Sequence, residues 1–221
     1  MKRGNFFITF GLLLIAAALC ITGYNVRENH RAGVAASTAL EQLRPRIDPA
    51  PIPPEGRTVY VQNTSTSDTP AEPLPDGIEY PYYVLNPDMQ MPVETVDGLD
   101  YIGVIRIPAI DLELPVISEW SESNLKHAPC RYSGSAYRND LVIAAHNYRE
   151  YFGQIKSLRL GAQIDFTDID GNEFSYCVSE IETLQPADVD ALISGDWDLT
   201  IFTCTVGGQT RIAVRCDLCE S

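Results

Sequence analysis

The chain has 221 residues, 45% of them hydrophobic, and a formal net charge of −14 at neutral pH. A hydrophobic fraction of this size supports a packed core and excludes a wholly disordered chain. The acidic balance excludes a nucleic-acid-binding protein, which needs a basic face for the phosphates.

The N-terminal region carries an uncharged apolar run from Phe6 to Tyr24, preceded by two basic residues. About 20 helical residues cross the hydrocarbon core of a bilayer, so this run is long enough to span it. The basic residues favour an N-terminus in the cytoplasm. The alternative is a cleaved signal peptide, but the run is longer than a usual signal core and lacks a small-x-small cleavage site. We therefore expect residues 1–24 to form a cytoplasmic tip and a retained anchor, with residues 6–24 in the lipid bilayer.

Residues 25–98 are predicted to link this anchor to a folded domain. Asn25–Leu43 is rich in alanine and predicts a juxtamembrane helix that Pro45 ends, because proline lacks an amide hydrogen and clashes with the preceding turn. From Pro45 to Pro92 proline and polar residues dominate, which is typical of a semi-extended stalk that holds a domain off the membrane. Within it, residues 80–85 (YPYYVL) are more apolar and are predicted to dock on the following domain.

Residues 99–221 are predicted to form a mostly β domain. The Asp170-Gly171 pair predicts a two-residue hairpin turn, and residues 150–158 suit one or two helical turns. Many short strands with little helix argue for a closed or sandwiched β domain. The strand-like runs are 101–107, 112–117, 141–145, 163–167, 173–183, 199–203 and 211–216.

Three side chains that suit nucleophilic chemistry lie at strand ends. His146 follows the run LVIAA, Cys204 ends DLTIFTC, and Arg211 opens RIAVRC. A nearby cation lowers the pKa of a thiol, histidine exchanges protons with amines, and arginine can bind an oxyanion. Singly, each residue is more often an ordinary buried or surface residue, but together they predict a cysteine active site. Arg215 is the alternative to Arg211, because alternate residues of a strand share a face.

The other cysteines leave several interpretations open. Five cysteines follow the apolar run, and this odd number leaves at least one thiol outside any internal disulfide. The sequence does not decide whether Cys130, Cys177, Cys216 or Cys219 form disulfides. Cys216 and Cys219 invite a redox interpretation, although the chain ends where a thioredoxin-like pair should open a helix.

These residues resemble the motifs of the sortase family. Leu199–Cys204 (LTIFTC) looks like the TLxTC signature that ends in the family's nucleophile. Ile143–His146 (IAAH) resembles the segment around its histidine, and Arg211–Val214 (RIAV) resembles the strand with its arginine. Tyr101–Pro108 resembles the first strand of the domain, and the order His, Cys, Arg is also the same. The likeness covers residues 99–218.

The resemblance implies a closed sortase-type β-barrel with short helices, preceded by a transmembrane helix and a Pro-rich stalk. It implies a cysteine transpeptidase, a peptidase-type hydrolase, that cleaves an LPxTG-like sorting peptide of a surface protein between Thr and Gly. Cys204 would hold the acyl group as a thioester and pass it to an amine of a cell-wall precursor, assisted by His146 and Arg211. The location would be the cell membrane of a Gram-positive type of cell, with the catalytic domain outside. No metal or cofactor is predicted.

By the same resemblance, the loop 185–197 would wall the substrate groove, and its alternative is a short helix packed on the barrel. The candidate substrate contacts are Thr203, Leu192, Ile193 and Trp197.

Two features argue against a pilin-polymerising member. No apolar span follows Ser221, and Asp48-Pro49 lacks the aromatic neighbour of a pilin-type lid. Two other functions stay open: an extracellular thiol oxidoreductase that uses Cys216 and Cys219, and a catalytically silent barrel that only binds.

Overall fold

The computed structural model describes residues 2–47, 81–205 and 207–219. Asp48-Pro49 and most of the predicted stalk lie outside these residues. The helices are α1 (Lys2–Ile47), α2 (Tyr82–Leu85) and α3 (Val189–Ile193), with short 3₁₀ turns at Pro108–Ile110, Asn124–Lys126, Ala136–Arg138 and Phe152–Ser157. The strands are β1 (Glu94–Val96), β2 (Leu99–Ile107), β3 (Leu112–Ile117), β4 (Cys130–Ser133), β5 (Leu141–Ala144), β6 (Gln163–Asp168), β7 (Glu173–Leu184), β8 (Leu199–Cys204) and β9 (Arg211–Leu218).

Eight of the nine strands in the described part of the chain close into a barrel. The strand order is β1-β2-β3-β4-β5-β8-β9-β7-β6, and pairing of β2 with β6 completes the ring. β1 adds a short antiparallel edge to β2. The pairs β3–β4 and β5–β8 are parallel, and the parallel β5–β8 pair positions the site described below. The closed, mostly β architecture predicted from the sequence is confirmed.

All seven predicted strand runs form strands, with their ends shifted by two residues at most. β1 and β4 were missed because they are short and lack a clear alternation of buried and exposed residues. The hairpin between β6 and β7 is confirmed, but its loop spans residues 169–172 and is longer than the predicted two-residue turn. The Asp168 carboxylate accepts hydrogen bonds from the backbone and side-chain amides of Asn172, at 2.9 and 2.8 Å, which stabilises the longer loop.

Alternation along the strands separates the barrel interior from its outer face. On β8 and β9, Ile201 and Val214 pack in the interior with Ile143. Phe202 and Ala213 belong to a second cluster, which Leu192 of α3 joins. Because residues two apart in a strand share a face, Cys204 lies on the same outer face as Phe202.

α1 is one continuous helix that combines an apolar segment with a segment that packs on the barrel. Its apolar part is long and hydrophobic enough to cross a membrane, and side chains such as Leu13 and Leu19 are each 67% exposed. Further along, one face of α1 is buried against the barrel. The residues of this docking face are Ala32, Ala36, Ala39 and Leu43.

The prediction that Pro45 ends the helix is wrong, because α1 continues to Ile47. Ion pairs hold its last turns against the barrel, with 2.9 Å between Arg44 and Glu113 and 3.4 Å between Arg46 and Glu94. These contacts and the complete burial of Leu43 offset the backbone hydrogen bond that proline removes. α1 therefore contacts the barrel before residues 48–80 begin. A stalk that holds the domain off the membrane does not predict this contact.

α2 docks on the barrel, as the apolar character of its sequence predicted. The Tyr83 ring stacks on Tyr137 with centroids 4.6 Å apart, and it lies 5.3 Å from the ring of Phe174. The Tyr137 hydroxyl donates a 2.6 Å hydrogen bond to the buried carboxylate of Asp168. These contacts fix the chain where it enters the β domain.

Candidate active site

The three predicted catalytic residues lie on neighbouring strand ends. β5 and β8 run parallel with Ala144 opposite Phe202, so His146 reaches the level of Cys204 two residues beyond that pair. β9 is antiparallel to β8, and Arg211 is the direct cross-strand partner of Cys204. Cys204 therefore lies between a histidine on one side and an arginine on the other.

Two hydrogen bonds fix the end of β5 to the end of β8. The Ala145 amide donates to the Phe202 carbonyl at 3.1 Å, and the Thr203 hydroxyl donates to the Ala145 carbonyl at 2.8 Å. Thr203 is only 3% exposed, so its side chain faces the barrel and not the solvent. This hydrogen bond holds Ala145, which precedes His146, next to Thr203, which precedes Cys204.

A pair of threonines closes the loop between β8 and β9. The Thr205 amide donates to the Thr210 carbonyl at 2.8 Å, and the Thr210 amide donates to the Thr205 hydroxyl at 3.1 Å. Gly207 and Gly208 take positive φ values of 85° and 70°, which other residues adopt less readily. The closed loop maintains the register in which Cys204 faces Arg211.

His146 is half-buried and lies beside an aromatic ring. Its ring centroid is 4.9 Å from that of Tyr148. Burial lowers the pKa of His146 below its ordinary value; the carboxylate of Glu122 opposes this shift and the cation of Lys126 adds to it. The neutral imidazole therefore predominates at neutral pH, and it can accept a proton.

Cys204 is exposed, and its thiol is not part of a disulfide. Cys130 and Cys216 are buried, and burial raises the pKa of each thiol to about 12. Neither buried cysteine therefore carries a thiolate at neutral pH. Outside α1, Cys204 is the one exposed free thiol among the described residues.

The structure contradicts the redox alternative that pairs Cys216 with Cys219. Cys219 forms a disulfide with Cys177 on β7, while Cys216 is completely buried in the barrel interior. Successive residues of a strand point to opposite faces, so Cys216 points into the barrel. Cys219, just beyond the end of β9, lies beside β7. A dithiol pair at the end of the chain is therefore absent from the described structure.

The two arginines of β9 have different surroundings. Arg211 is half-buried, and its Nη1 donates to the Pro186 carbonyl at 2.5 Å. No other hydrogen bond from its guanidinium group occurs among the described residues, so the other donors are available to a ligand. Arg215 lies opposite Thr200 in the β8–β9 ladder, about 13 Å along the strand from Arg211.

Arg215 is only 2% exposed, and each of its three guanidinium nitrogens donates a hydrogen bond. It donates to Glu182 at 2.8 Å, to the Thr200 hydroxyl at 3.0 Å and to the Leu192 carbonyl at 3.1 Å. It also donates to the Ala191 carbonyl. Arg215 thus binds α3 to the barrel and lies too far along the strand to contact Cys204.

The segment 185–197 contains α3, which packs on the outer face of the barrel. Leu192 is 2% exposed, whereas Ile193 is 51% exposed and Trp197 is half-buried beside Gly195. The short-helix alternative is therefore observed, and the exposed Ile193 side chain of α3 can contact a ligand.

Sequence reasoning missed the part of α1 that supports the histidine loop. Asn29 Oδ1 accepts a 3.1 Å hydrogen bond from the Arg149 amide, and the Ala32 carbonyl accepts one of 3.0 Å from the Tyr151 hydroxyl. These pairs are 120 and 119 residues apart in the chain, and no sequence pattern links them. No group of three or more potential metal ligands occurs in the residues that the structure describes.

Known proteins are similar to this chain over the barrel. A family model described as "Sortase domain" matches residues 105–219. Sortase A of Bacillus anthracis is 29% identical over 116 residues, which cover 50% of this chain and 55% of that protein. The match thus spans only about half the length of that relative.

Two solved structures share the fold and more than a quarter of the aligned residues. Sortase C of Streptococcus pneumoniae is 27% identical, with a TM-score of 0.50, over 57% of this chain and 69% of its own. The Sortase D5 transpeptidase of Clostridium perfringens is 28% identical, with a TM-score of 0.50, over 57% of this chain and 83% of its own.

Proposed function

The chain belongs to the sortase family, and from that premise we propose that it is a membrane-anchored cysteine transpeptidase. It cleaves an LPxTG-like sorting peptide of a surface protein and transfers the acyl group to an amine of a cell-wall precursor. Residues 6–24 anchor it in the cell membrane, with the N-terminus in the cytoplasm and the barrel outside.

One observation carries the proposal: an exposed free thiol at a strand end, between a histidine and an arginine on the two adjacent strands. Exposure admits a peptide to Cys204, and the neutral imidazole of His146 can take the thiol proton. A barrel that only binds would need neither this thiol nor its two flanking side chains.

The proposed reaction has two steps that use the same groups. The Cys204 thiol gives its proton to His146, and the thiolate attacks the peptide carbonyl, whose oxyanion accepts hydrogen bonds from Arg211. The C–N bond breaks, His146 returns its proton to the leaving amine, and a thioester remains on Cys204. The acceptor amine then attacks the thioester and its proton passes to His146. The C–S bond breaks, and the leaving thiolate of Cys204 takes this proton from His146, which restores the thiol.

The environment of the other predicted site residues separates their roles. Thr203 and Leu192 are buried and present almost no surface to a peptide. We assign a structural role to both residues. Thr203 holds Ala145 by a hydrogen bond, and Leu192 packs in the cluster under α3. Ile193 is exposed and Trp197 is half-buried, and both are proposed to line the groove for the apolar part of the sorting peptide.

The test is incubation of the protein with a peptide library, followed by mass spectrometry of both the products and the protein. Cleavage within an LPxTG-like motif and a protein mass increased by the acyl fragment are expected. Cys204→Ala should abolish both signals, because no other exposed thiol of the barrel can form the thioester.

Cys130→Ala and Cys216→Ala are the matched controls, since both thiols are buried and lie outside the proposed reaction. A variant that remains folded should keep the acyl adduct. Retention of the adduct in Cys204→Ala would contradict the proposal, and absence of cleavage by the wild-type protein with every peptide would favour the binding module.

A further inference from the structure

α1 connects the membrane anchor to the barrel without a break. The helix runs from Lys2 to Ile47, and its docking face of Ala32, Ala36, Ala39 and Leu43 lies on the barrel. Gly33 allows an especially close approach, because a Cβ there would lie 3.0 Å from Cγ of Glu150. Because the helix is continuous, the barrel keeps a fixed orientation relative to the anchor. The end of the barrel that contacts the first turns of the docking face is therefore the end nearer the bilayer.

The beginning of the docking face contacts the loop that carries His146. Asn29 and Ala32 accept hydrogen bonds from Arg149 and Tyr151, which follow His146 closely in the chain. Tyr148, in the same loop, lies against the His146 ring and also contacts the ring of Tyr151. Burial raises the pKa of Tyr148, and the nearby acidic groups of Glu28 and Tyr24 contribute to this shift.

The last turn of α1 lies at the opposite end of the barrel. β7 is antiparallel to β9, so Leu184, at its end, lies opposite Arg211 on the active-site side. β7 therefore begins at the far end, next to the 169–172 loop. Ile47 lies there, because a Cβ on Gly171 would be 3.5 Å from the Ile47 carbonyl oxygen. α1 thus runs from the active-site end of the barrel to the other end.

The axial distance from the apolar segment to the histidine loop is short. A helix rises about 1.5 Å per residue, so Asn29 is roughly 8 Å and Ala32 roughly 12 Å beyond Tyr24. The polar layer of a bilayer is about 5–8 Å deep on each side of the hydrocarbon core. The histidine loop is therefore close to the outer edge of the lipid headgroups, whereas Ile47 is roughly 35 Å from Tyr24 along the axis.

We propose that the end of the barrel with Cys204 and His146 faces the bilayer, and that the lipid headgroup layer is the surface against which the site works. This inference rests on the anchor in the proposed function. Both substrates of the proposed function would then reach Cys204 at the membrane surface. A substrate in free solution would have to enter between the barrel and the headgroups.

Fluorescence quenching by headgroup-attached nitroxide lipid tests this orientation. In full-length Cys20→Ala protein, the exposed Cys204 is labelled with bimane and the protein is reconstituted into phosphatidylcholine vesicles that contain the nitroxide lipid. A second protein, Cys20→Ala/Cys204→Ala/Asp170→Cys, carries the label at the opposite end. We expect at least several-fold stronger quenching at residue 204 than at residue 170. The label blocks Cys204, so the result does not depend on transpeptidase activity.

Two variants and one control test whether α1 sets the orientation. Ala36→Glu places a charge in the docking face and should reduce the quenching at residue 204, whereas Thr38→Glu, on the exposed side of the same helix, should not. Insertion of about eight Gly/Ser residues between Tyr24 and Asn25 leaves the docking intact but uncouples it from the anchor, and should also reduce the difference between the two labels.

Equal quenching at the two positions, or stronger quenching at residue 170, in protein that floats with the vesicles would overturn the inference and leave the proposed transpeptidase untouched. Protein that does not float with the vesicles would overturn the anchor and this orientation together. Strong quenching at residue 204, together with no peptide cleavage by the unlabelled wild-type protein, would instead support the orientation and count against the proposed activity.

Discussion

At the scale of single residues, the two arginines of β9 differ in what their guanidinium groups bind. Arg211 faces Cys204 across the strand pair and makes one hydrogen bond to a loop carbonyl among the described residues. Arg215 is buried, with an ion pair to Glu182 and hydrogen bonds to α3. The first environment suits a group that receives a substrate, and the second suits a group that holds the fold together.

Replacement of each arginine should therefore give a different defect. Arg211→Ala should reduce kcat by about 10² to 10³, the usual loss for one oxyanion donor, with an unchanged melting temperature. Arg211→Lys should also be slow, because a point charge does not reproduce the planar set of donors. Arg215→Ala should lower the free energy of unfolding by about 3 kcal/mol, because its buried partners lose their donor.

Single-turnover cleavage and thermal denaturation of the same preparations measure both effects. A stable but inactive Arg215→Ala protein, together with an active Arg211→Ala protein, would show that the assignment on β9 is reversed.

The surroundings of His146 also determine the pKa of its imidazole. Because burial disfavours the imidazolium, the pKa of His146 should lie below about 6.5 in a proton NMR titration of the Cys204→Ala protein. Lys126→Met should raise this pKa by removing a cation, and Glu122→Gln should lower it further. The other two histidines, His30 and His127, provide controls within the same spectra, and a value above 6.5 would contradict the burial argument.

At the scale of elements, β7 and β9 form the longest strand pair of the barrel. A disulfide links the chain at the end of this pair that lies away from Arg211. Cys177 of β7 is bonded to Cys219, just beyond β9, across a sequence separation of 42 residues. This bond lies at the opposite end of β9 from Arg211. It therefore acts on the stability of the sheet and not on the geometry of the site.

Removal of this disulfide should destabilise the protein and leave its chemistry intact. Cys219→Ser should lower the free energy of unfolding by about 2–4 kcal/mol, while kcat of the folded protein stays near the wild-type value. A reducing agent should lower the melting temperature of the wild-type protein and not that of Cys177→Ser/Cys219→Ser. Equal sensitivity of both proteins would show that the bond does not form in solution.

The sequence was most informative where one local pattern decides the structure. Apolar runs such as LVIAA and DLTIFTC predicted β5 and β8, and turn residues predicted the hairpin between β6 and β7. The structure places His146, Cys204 and Arg211 on neighbouring strand ends, as expected, because each lies at the end of a predicted strand. Whether they perform the assigned chemistry stays a prediction.

The remaining features depend on contacts between distant parts of the chain. α1 continues past Pro45, where local propensity alone predicts an end, and its last turns contact Glu113 and Glu94 of distant strands. The choice of Cys177 as the partner of Cys219 depends on the β7–β9 register, and spacing in the sequence does not reveal it.

At the scale of the whole molecule, α1 contains the candidate membrane span and also packs on the barrel. Its docking face covers part of the barrel, and its polar groups bind Arg149 and Tyr151 of the histidine loop. A chain that begins at residue 25 keeps these contacts, whereas one that begins at residue 81 loses them. The two truncations therefore separate anchoring from support of the site.

We expect the 25–221 protein to be soluble and as active on soluble peptides as the full chain. The 81–221 protein should be less stable by at least about 2 kcal/mol, from the lost burial of Leu43 alone, and should have a lower kcat. Thermal denaturation and single-turnover assays compare the two. Identical stability and kcat would mean that α1 neither covers the barrel nor steadies His146.

Residues 48–80 leave and rejoin the described structure at the same hairpin. Ile47 lies beside Gly171, and Tyr83 packs against Phe174. The chain therefore leaves α1 and enters α2 at one side of the barrel, at the end opposite Cys204. If α1 sets the orientation inferred above, a domain inserted between residues 47 and 81 would leave the distance of Cys204 from the membrane unchanged.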